Sequence, residues 1–599
     1  MYVPSSQLLR IRLLSPLTAA AVLLAGALPA TRAQRAPVEA EHGMVTSASA
    51  LASQVGVDIM QQGGNAIDAF VATGLALAVT FPRAGNIGGG GFAVIRLADG
   101  QSTVIDFRER APLAGGRDMY LDDEGNVVSG RSTVGYLAAG VPGSVAGFAL
   151  AFEKYGSGKL TWAQIVEPAR KLAAEGWTVT PFFERDLVAR EKFLGQFPES
   201  KRVFLRDGEF YRTGETFTQP DLAATLMRIQ TEGPREFYEG QTARFIADDM
   251  AAHGGLITLE DLQAYTAVER EPVRGSYRGY DIITMPPPSS GGIALLQMLG
   301  MLEPYDLGAM GHNSAAKLHL VIETMRRAFR DRAEFLGDPD FVNVPMQGLL
   351  EPAYIQGLMA NFDPQRATPS EGLAPGSPAG WDGVVKASPA SRESTETTQY
   401  SIVDAAGNMV SCTYTLNGLY GNGVTVKGAG FLLNNEMDDF TSKVGVKNMF
   451  GLLQGEANAI APGKRPLSSM TPTVVVKDGK PFLVTGSPGG PTIISTVLLV
   501  ITNMIDHQMS VTQAVDAPRF HHQWMPNVAS HEPFLTSADT VAILEGMGHK
   551  LAPRKVYPND PESMARHWGD AESIAFDPKT GHLLGASDPR YADAAAIGY

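Results

Sequence analysis

Thr397-Thr398-Gln399-Tyr400-Ser401-Ile402-Val403-Asp404-Ala405-Ala406-Gly407-Asn408-Met409-Val410-Ser411-Cys412-Thr413-Tyr414-Thr415 is the stretch on which the fold turns. β-Branched and aromatic residues crowd two runs, Thr398–Val403 and Met409–Thr415. Between them, 404–408 holds the Asp, Gly and Asn of a tight turn. The spacing predicts an antiparallel strand pair. Cys412 lies inside the second run and is the chain's single cysteine, so it can form no internal disulfide. A buried structural thiol fits that strand better than a nucleophile does.

The same pattern recurs outward from this pair. Residues 473–476 and 481–485 flank Lys477-Asp478-Gly479-Lys480; 92–97 and 102–107 flank Ala98-Asp99-Gly100, behind the glycine run 88–91. From Gly43 the pattern reads as helical, with Leu51, Val55 and Ile59 on one face and Gly63-Gly64 at its end. Asn65 is placed to cap a second, very apolar helix over 66–79, which Pro82 stops. A long apolar helix over 492–507 follows Gly489-Gly490. The middle, 145–360, alternates amphipathic helical stretches with loops and is punctuated by Pro286-Pro287-Pro288-Ser289-Ser290-Gly291-Gly292. Paired strands in both halves with apolar helices beside them predict two packed sheets covered by helices, an α+β arrangement. There is no internal repeat and no heptad pattern.

Composition bounds the function. With 599 residues, 44% apolar and 19% charged, the chain has length for several domains and material for a large core. A net charge of −14 repels phosphate backbones and gives no support for anionic membrane surfaces, which argues against nucleic-acid binding. Residues 1–33 carry Arg10, Arg12 and Arg32 and no acid, around an apolar stretch at 13–30 that ends in small residues. That pattern is an export signal, cleaved after Ala33 or Ala30, and it predicts a periplasmic or secreted protein with no membrane attachment once the signal is gone. The competing reading, a membrane anchor, is weakened by Ser15, Pro16 and Pro29, and by a run short for a full span. Residues 364–396 are rich in Pro, Gly, Ser and Ala and read as a flexible, exposed segment that ends just before Thr397. Phosphate-loop, H-E-x-x-H, paired-cysteine and G-x-S-x-G patterns are missing, and the adjacent pair His521-His522 is poor geometry for a shared metal. No metal and no cofactor is expected.

Several strings stand out together. After Thr397-Thr398-Gln399-Tyr400-Ser401 come Thr413-Tyr414-Thr415-Leu416-Asn417, Asn434-Asn435-Glu436-Met437-Asp438-Asp439-Phe440, Arg465-Pro466-Leu467-Ser468-Ser469-Met470-Thr471-Pro472-Thr473 and Gly486-Ser487-Pro488-Gly489-Gly490. Asp106-Phe107-Arg108-Glu109-Arg110-Ala111-Pro112 and the run 85–91 belong with them from the first half. In this order and spacing, from about Gly43 to Tyr599, they resemble the gamma-glutamyltranspeptidases, members of the N-terminal nucleophile hydrolases with a four-layer αββα core. The resemblance implies a precursor that cuts itself into a large subunit, 34–396, and a small catalytic subunit, 397–599. It implies transfer of the γ-glutamyl group of glutathione and related amides to water or to amino acid and dipeptide acceptors. Thr397 would be the nucleophile, Thr415 its hydrogen-bonding support, and Gly489 and Gly490 the oxyanion donors. Arg108, Ser468 and Ser469 would bind the substrate α-carboxylate; Glu436, Asp439 and Asn417 would hold its ammonium. The stretch 439–463 resembles the family's lid over the glutamyl pocket, with Phe450 where some relatives have tyrosine, and Glu436 stands where some have glutamine. The stretch 557–568 is longer than in close relatives.

The residue types agree with that chemistry. A threonine hydroxyl is a poor nucleophile at neutral pH and needs a base. A cut before Thr397 frees its own α-amino group, with an unperturbed pKa of about 7.7–8.0, as a base on the same residue. The flexible run before it supplies slack for the new end at Glu396 to swing clear. A guanidinium meets a carboxylate in a planar fork, and glycines let backbone N–H groups approach a developing oxyanion. Two other readings compete. A cephalosporin or glutaryl-amide acylase of the same fold would take an acyl group without the α-amine, which retention of Arg108, Glu436, Asp439 and both serines opposes. A non-catalytic exported binding protein would have lost Thr397 or the glycine pair.

Overall fold

The computed structural model describes residues 35–381, 397–446, 448–449, 451–554 and 568–599. The expected export signal, most of the stretch 557–568, the end of the flexible run and Phe450 lie outside them. In chain order the core strands are β1 (Val38–Ala40), β2 (Met44–Ser47), β3 (Gly90–Arg96), β4 (Ser102–Asp106), β5 (Val268–Arg270), β6 (Val273–Tyr277), β7 (Tyr280–Thr284), β8 (Thr398–Val403), β9 (Met409–Thr415), β10 (Thr473–Lys477), β11 (Lys480–Thr485), β12 (Ser573–Phe576), β13 (Leu583–Ala586) and β14 (Ala595–Gly598). They build two seven-stranded sheets, ordered β14-β2-β8-β9-β3-β4-β5 and β1-β13-β12-β11-β10-β7-β6, with every neighbouring pair antiparallel.

The layers follow from which faces are apolar. One face of the first sheet, through Tyr400, Ile402, Cys412 and Tyr414, packs under α1 (Ala50–Gln61), α2 (Ala66–Thr80) and α3 (Ser144–Tyr155). Its other face meets the second sheet through Phe92, Val94 and Val403 against Val474, Val484 and Ile574. The far face of the second sheet, through Ile282, Val475 and Leu483, is covered by α4 (Gly291–Leu302), α5 (Ala315–Phe335) and α6 (Thr492–Ile505). The result is the four-layer αββα sandwich that the resemblance implies.

The expected strand pair around 404–408 is present, with Thr398 opposite Tyr414 and Val403 opposite Met409. Asn65 caps α2 in a full capping box with Asp68. Cys412 is fully buried. Three expectations change. Residues 44–47 form β2 rather than the start of a helix, and Leu51 points outward at 41% exposure. The buried stripe of α1 uses Ala52, Val55, Gly56, Ile59 and Met60, because α2 approaches so closely that a Cβ on Gly56 would lie 2.4 Å from Thr73 Oγ1. The middle of the chain contributes β5, β6 and β7 in addition to helices. The run expected to be flexible from 364 is anchored over its first part: Ser370 is buried and accepts from Arg326, Trp524 Nε1 donates to Ser370 O at 2.8 Å, and Gly376 N donates to Asp331 at 3.0 Å.

Candidate active site

The inner face of β8 and β9 changes from apolar to polar along its length. Thr413 donates to Gln399 at 2.6 Å, Gln399 donates to Ser411 at 3.0 Å, and Ser411 donates to the carbonyl of Thr485 in the facing sheet at 2.8 Å. Side chains two apart in a strand share a face, so Thr397 and Thr415 end this polar stripe. The register sets them across from each other, one step beyond Thr398 and Tyr414. Both line a small, partly open cavity between the sheets, with Arg108, Asn417, Glu436, Asp439, Ser468, Ser469 and Gly490 on its other walls. Thr397 is 5% exposed. Gly489 stands one residue behind the lining.

Arg108 follows the end of β4. Its N–H donates to Asp106 at 3.0 Å, and its carbonyl accepts from Tyr265 OH at 2.8 Å. Its guanidinium is fully buried; one Nη donates to Glu436 and the other to Asp439 at 2.5 Å. Glu109 lies 3.7 Å from the same guanidinium, and neither of its carboxylate oxygens has a hydrogen-bond partner. One arginine therefore faces three buried carboxyl groups. Burial pushes Glu436 well above the ordinary carboxylate range, raises Asp439, and lifts Glu109 to about 8. Burial also works against the charge on Arg108, but Glu436, Asp439 and Glu109 outweigh it and hold its pKa above the usual value. The fork expected to receive a carboxylate is occupied by Glu436 and Asp439 in this structure.

Glu436 and Asp439 share one short 3₁₀ turn, Glu436–Asp439, fixed by Asn434 Oδ1 accepting from Glu436 N at 3.0 Å. Asp438 in that turn accepts from Ser132 Oγ at 2.6 Å and from Met449 N at 2.7 Å. It tethers the lid-like stretch rather than the cavity. Asn417 adopts a left-handed backbone with φ 72° and donates to Asn435 O at 2.9 Å, while its N–H donates to Thr415 Oγ1 at 2.8 Å. Ser468 Oγ accepts from Met470 N at 3.1 Å, and Ser469 Oγ accepts from Arg332 at 3.2 Å.

Gly489 and Gly490 have φ of 129° and 54°, conformations that disfavour side chains. A Cβ on Gly489 would lie 2.5 Å from Thr492 Oγ1. The pair leads directly into α6, so the positive end of the helix dipole opens at the cavity. A carbonyl oxygen gaining negative charge there would meet a favourable field. Sequence reasoning missed Arg332 and Ser290, which support the serine pair. They lie far from Ser469 in the chain, and no local pattern marks the contact.

Among the described residues, His319, Glu323 and His549 bring metal-ligand atoms within 4.8 Å of one another. His319 Nδ1 and His549 Nε2 are hydrogen-bonded to each other at 2.7 Å, and Glu323 is paired with Arg326 and Arg327. Two guanidiniums already neutralise that carboxylate, so the group is a hydrogen-bonded ion-pair network. His521 and His522 turn to different partners, Ser495 and Gln523 for the first and Trp524 N for the second.

The family model described as Gamma-glutamyltranspeptidase matches residues 52–598. A glutathione hydrolase proenzyme of Escherichia coli strain K12 is 49% identical over 564 residues, covering 94% of this chain and 93% of its own length. Among solved structures, a cephalosporin acylase from Bacillus halodurans aligns with TM-score 0.80 at 27% identity, over 96% of this chain and 98% of its own. A Helicobacter pylori gamma-glutamyltranspeptidase chain aligns with TM-score 0.54 at 46% identity, over 56% of this chain and 95% of its own.

Proposed function

The chain belongs to the gamma-glutamyltranspeptidase family, and from that premise we propose that it is a glutathione hydrolase and γ-glutamyltransferase that cuts itself before Thr397. The observation that supports this reading best is the single cavity in which Thr397, Thr415, Arg108, Glu436, Asp439, Ser468, Ser469 and Gly490 meet. In the uncut chain the nitrogen of Thr397 is an amide and cannot take a proton. Attack of Thr397 Oγ on the carbonyl of Glu396 breaks the peptide bond, forms an ester and releases the α-amine. Water then hydrolyses the ester, leaving fragments 34–396 and 397–599.

The freed amine serves as the base of the mature site. It takes the proton of Thr397 Oγ as that oxygen attacks a γ-glutamyl carbonyl, and returns it to the departing amine of glutathione or another γ-glutamyl amide. The backbone N–H groups of Gly489 and Gly490, with the start of α6, stabilise the oxyanion. Water or the amine of an amino acid or dipeptide then attacks the γ-glutamyl ester. The substrate head carries one charge of each sign, so it exchanges partners with the resident ion pairs. Its α-carboxylate takes Arg108 and the serine hydroxyls, and its ammonium takes Glu436, Asp439 and Asn417. No cofactor enters these steps. The signal-like residues 1–33 and the acidic net charge support an exported protein with no nucleic-acid partner; among the described residues no helix is long and apolar enough to cross a membrane.

The likeness to a cephalosporin acylase favours one competing reading, an acylase for chains without the α-amine. The two buried carboxyls at the head of the cavity support the amine-bearing substrate, and faster cleavage of glutaryl- than of γ-glutamyl-4-nitroanilide would reverse that choice. Self-processing is tested by the intact mass of the purified protein beside Thr397→Ala. Two fragments from the wild type, the smaller beginning at Thr397, and one uncut chain from the variant are expected. A single uncut wild-type chain with γ-glutamyl activity would overturn the amine-base mechanism.

A further inference from the structure

The serine pair at the head of the cavity is held from outside. The 286–292 turn, which the proposed reaction does not otherwise use, lies against Ser468-Ser469-Met470 like an added strand. Ser289 and Ser468 form a parallel bridge, Ser290 N donates to Ser468 O at 2.8 Å, and Ser468 N donates to Pro288 O at 2.9 Å. Ser289 Oγ donates to Met470 O at 2.6 Å and Ser290 Oγ to Ser468 O at 2.7 Å. Gly291 must lack a side chain here, since a Cβ would lie 2.2 Å from Thr471 Oγ1 and 2.4 Å from Met470 O.

Arg332, at the end of α5 and 2% exposed, joins the two segments. Its Nε donates to Ser290 Oγ at 2.8 Å and one Nη donates to Ser469 Oγ at 3.2 Å. A hydroxyl has one proton to give and two lone pairs. The Arg332 bond occupies a lone pair of Ser469, so its proton is left for another acceptor, and Ser469 lines the cavity. A neighbouring cation polarises that O–H and strengthens it as a donor to an anion. Arg108, the other arginine of the site, is paired with two carboxylates.

We propose that Arg332, held by Ser290 of the 286–292 turn, is a positioning residue for recognition of the substrate α-carboxylate: it fixes Ser469 as an oriented donor and adds a second positive charge behind it. This rests on the γ-glutamyl reading of the cavity. Arg332 touches no reacting atom, so its effect falls on KM and on carboxylate discrimination, not on the chemical step.

The test compares wild type, Arg332→Gln, Arg332→Lys and Ser290→Ala on three 4-nitroanilides. The γ-glutamyl compound has both head charges, the glutaryl compound only the carboxylate, and the 4-aminobutyryl compound only the amine. Arg332→Gln and Ser290→Ala are expected to raise KM on the order of tenfold for the first two, the size of one charge-assisted hydrogen bond. They should leave kcat within about twofold and change KM for the third by clearly less than for the first two, because Arg332 also acts through space on Asp439 on the ammonium side; Arg332→Lys should recover part of the loss. Equal loss on all three substrates, or a fall in kcat alone, would make Arg332 merely structural and sink the proposal. Should Arg332→Gln not fold, Ser290→Ala reads the same ratio with one hydroxyl removed. If the wild type cleaves no γ-glutamyl anilide, the functional reading fails instead. Calorimetric titration with glutamate and with 4-aminobutyrate then decides the positioning role without turnover: equal effects of Ser290→Ala on the two ligands would overturn it.

Discussion

Asp438 and Asp439 are adjacent in the chain, yet their carboxyl groups serve opposite sides of one turn. Asp439 accepts from Arg108 at 2.5 Å in the cavity wall, and Asp438 accepts from Ser132 and from Met449 N behind it. Sequence order alone gave no basis for choosing between them. Both carboxyls take a hydrogen bond from the lid-like stretch, Asp438 from Met449 N and Asp439 from Asn448 at 3.2 Å, but only Asp439 also reaches Arg108.

Asp438 should make stability depend on pH. Burial lifts it to about 7, against Ser132 and Met449 N, which favour the charged form. Its folded pKa therefore lies above the unfolded value of about 3.9. Between those values the folded state binds more protons than the unfolded state, so this group's contribution falls as pH rises from about 4 to about 7. Asp438→Asn should flatten the fall in melting temperature across that window; an unchanged slope would assign the effect to other groups.

Arg108→Met would leave Glu436, Asp439 and Glu109 facing one another without the arginine they share, with Arg332 acting only on Asp439. Removing one partner of a buried ion pair costs about 3–5 kcal/mol. Denaturant unfolding at pH 8 should show a loss of that size. The loss should shrink toward pH 5 as the carboxyls, already raised by burial, take up protons. A pH-independent loss would mean that packing rather than charge dominates.

Gly489→Ala puts a methyl group 2.5 Å from Thr492 Oγ1 in a backbone conformation with φ 129°. The N–H groups before α6 should shift, lowering kcat on the order of 10²-fold, the usual cost of one oxyanion donor, with little change in KM. Turnover should be normalised to the processed fraction; a change in KM with kcat intact would move the glycine pair out of the oxyanion role.

Cys412 should be chemically silent. It is fully buried between β8 and β3, and burial pushes its thiol far above the ordinary range. Iodoacetamide at pH 8 should leave the native mass unchanged and add one label after unfolding, and Cys412→Ala should keep its activity. Labelling of the native protein would show that the first sheet opens.

Much of this was legible in the sequence, for local reasons. The strand pair around 404–408 could be read because β-branched runs and a turn lie within one short window, and α2 because Asn65, an apolar stretch and Pro82 mark both its ends. The strands 268–284 were not read, because β7 is paired with β10 from the far half of the chain and only that pairing makes it a core strand. Leu51 misled because small residues, not leucines, do the packing where two helices touch. At the site, resemblance gave the polar residues that line the cavity and Gly490, but not the apolar Leu452, Met470, Pro491 and Ile493. It did not give their pairing: that Arg108 is already held by two carboxylates, or that Arg332 stands behind Ser469, depends on contacts between segments distant in the chain.

The strand order has a last consequence for how such a protein is made. A break before Thr397 assigns β14, β8 and β9 to one fragment and β2, β3, β4 and β5 to the other, so that β2 lies between strands of the opposite fragment. In the second sheet, β1 and the β7-β6 pair of one fragment enclose the strands of the other. Neither piece retains a complete sheet. The continuous precursor folds in a first-order process; the separated pieces would need a second-order encounter between two chains that each expose unpaired edges. Maturation thus acts as a ratchet: the architecture is assembled once, as a single chain, and a mature molecule that comes apart has lost the connectivity that built it.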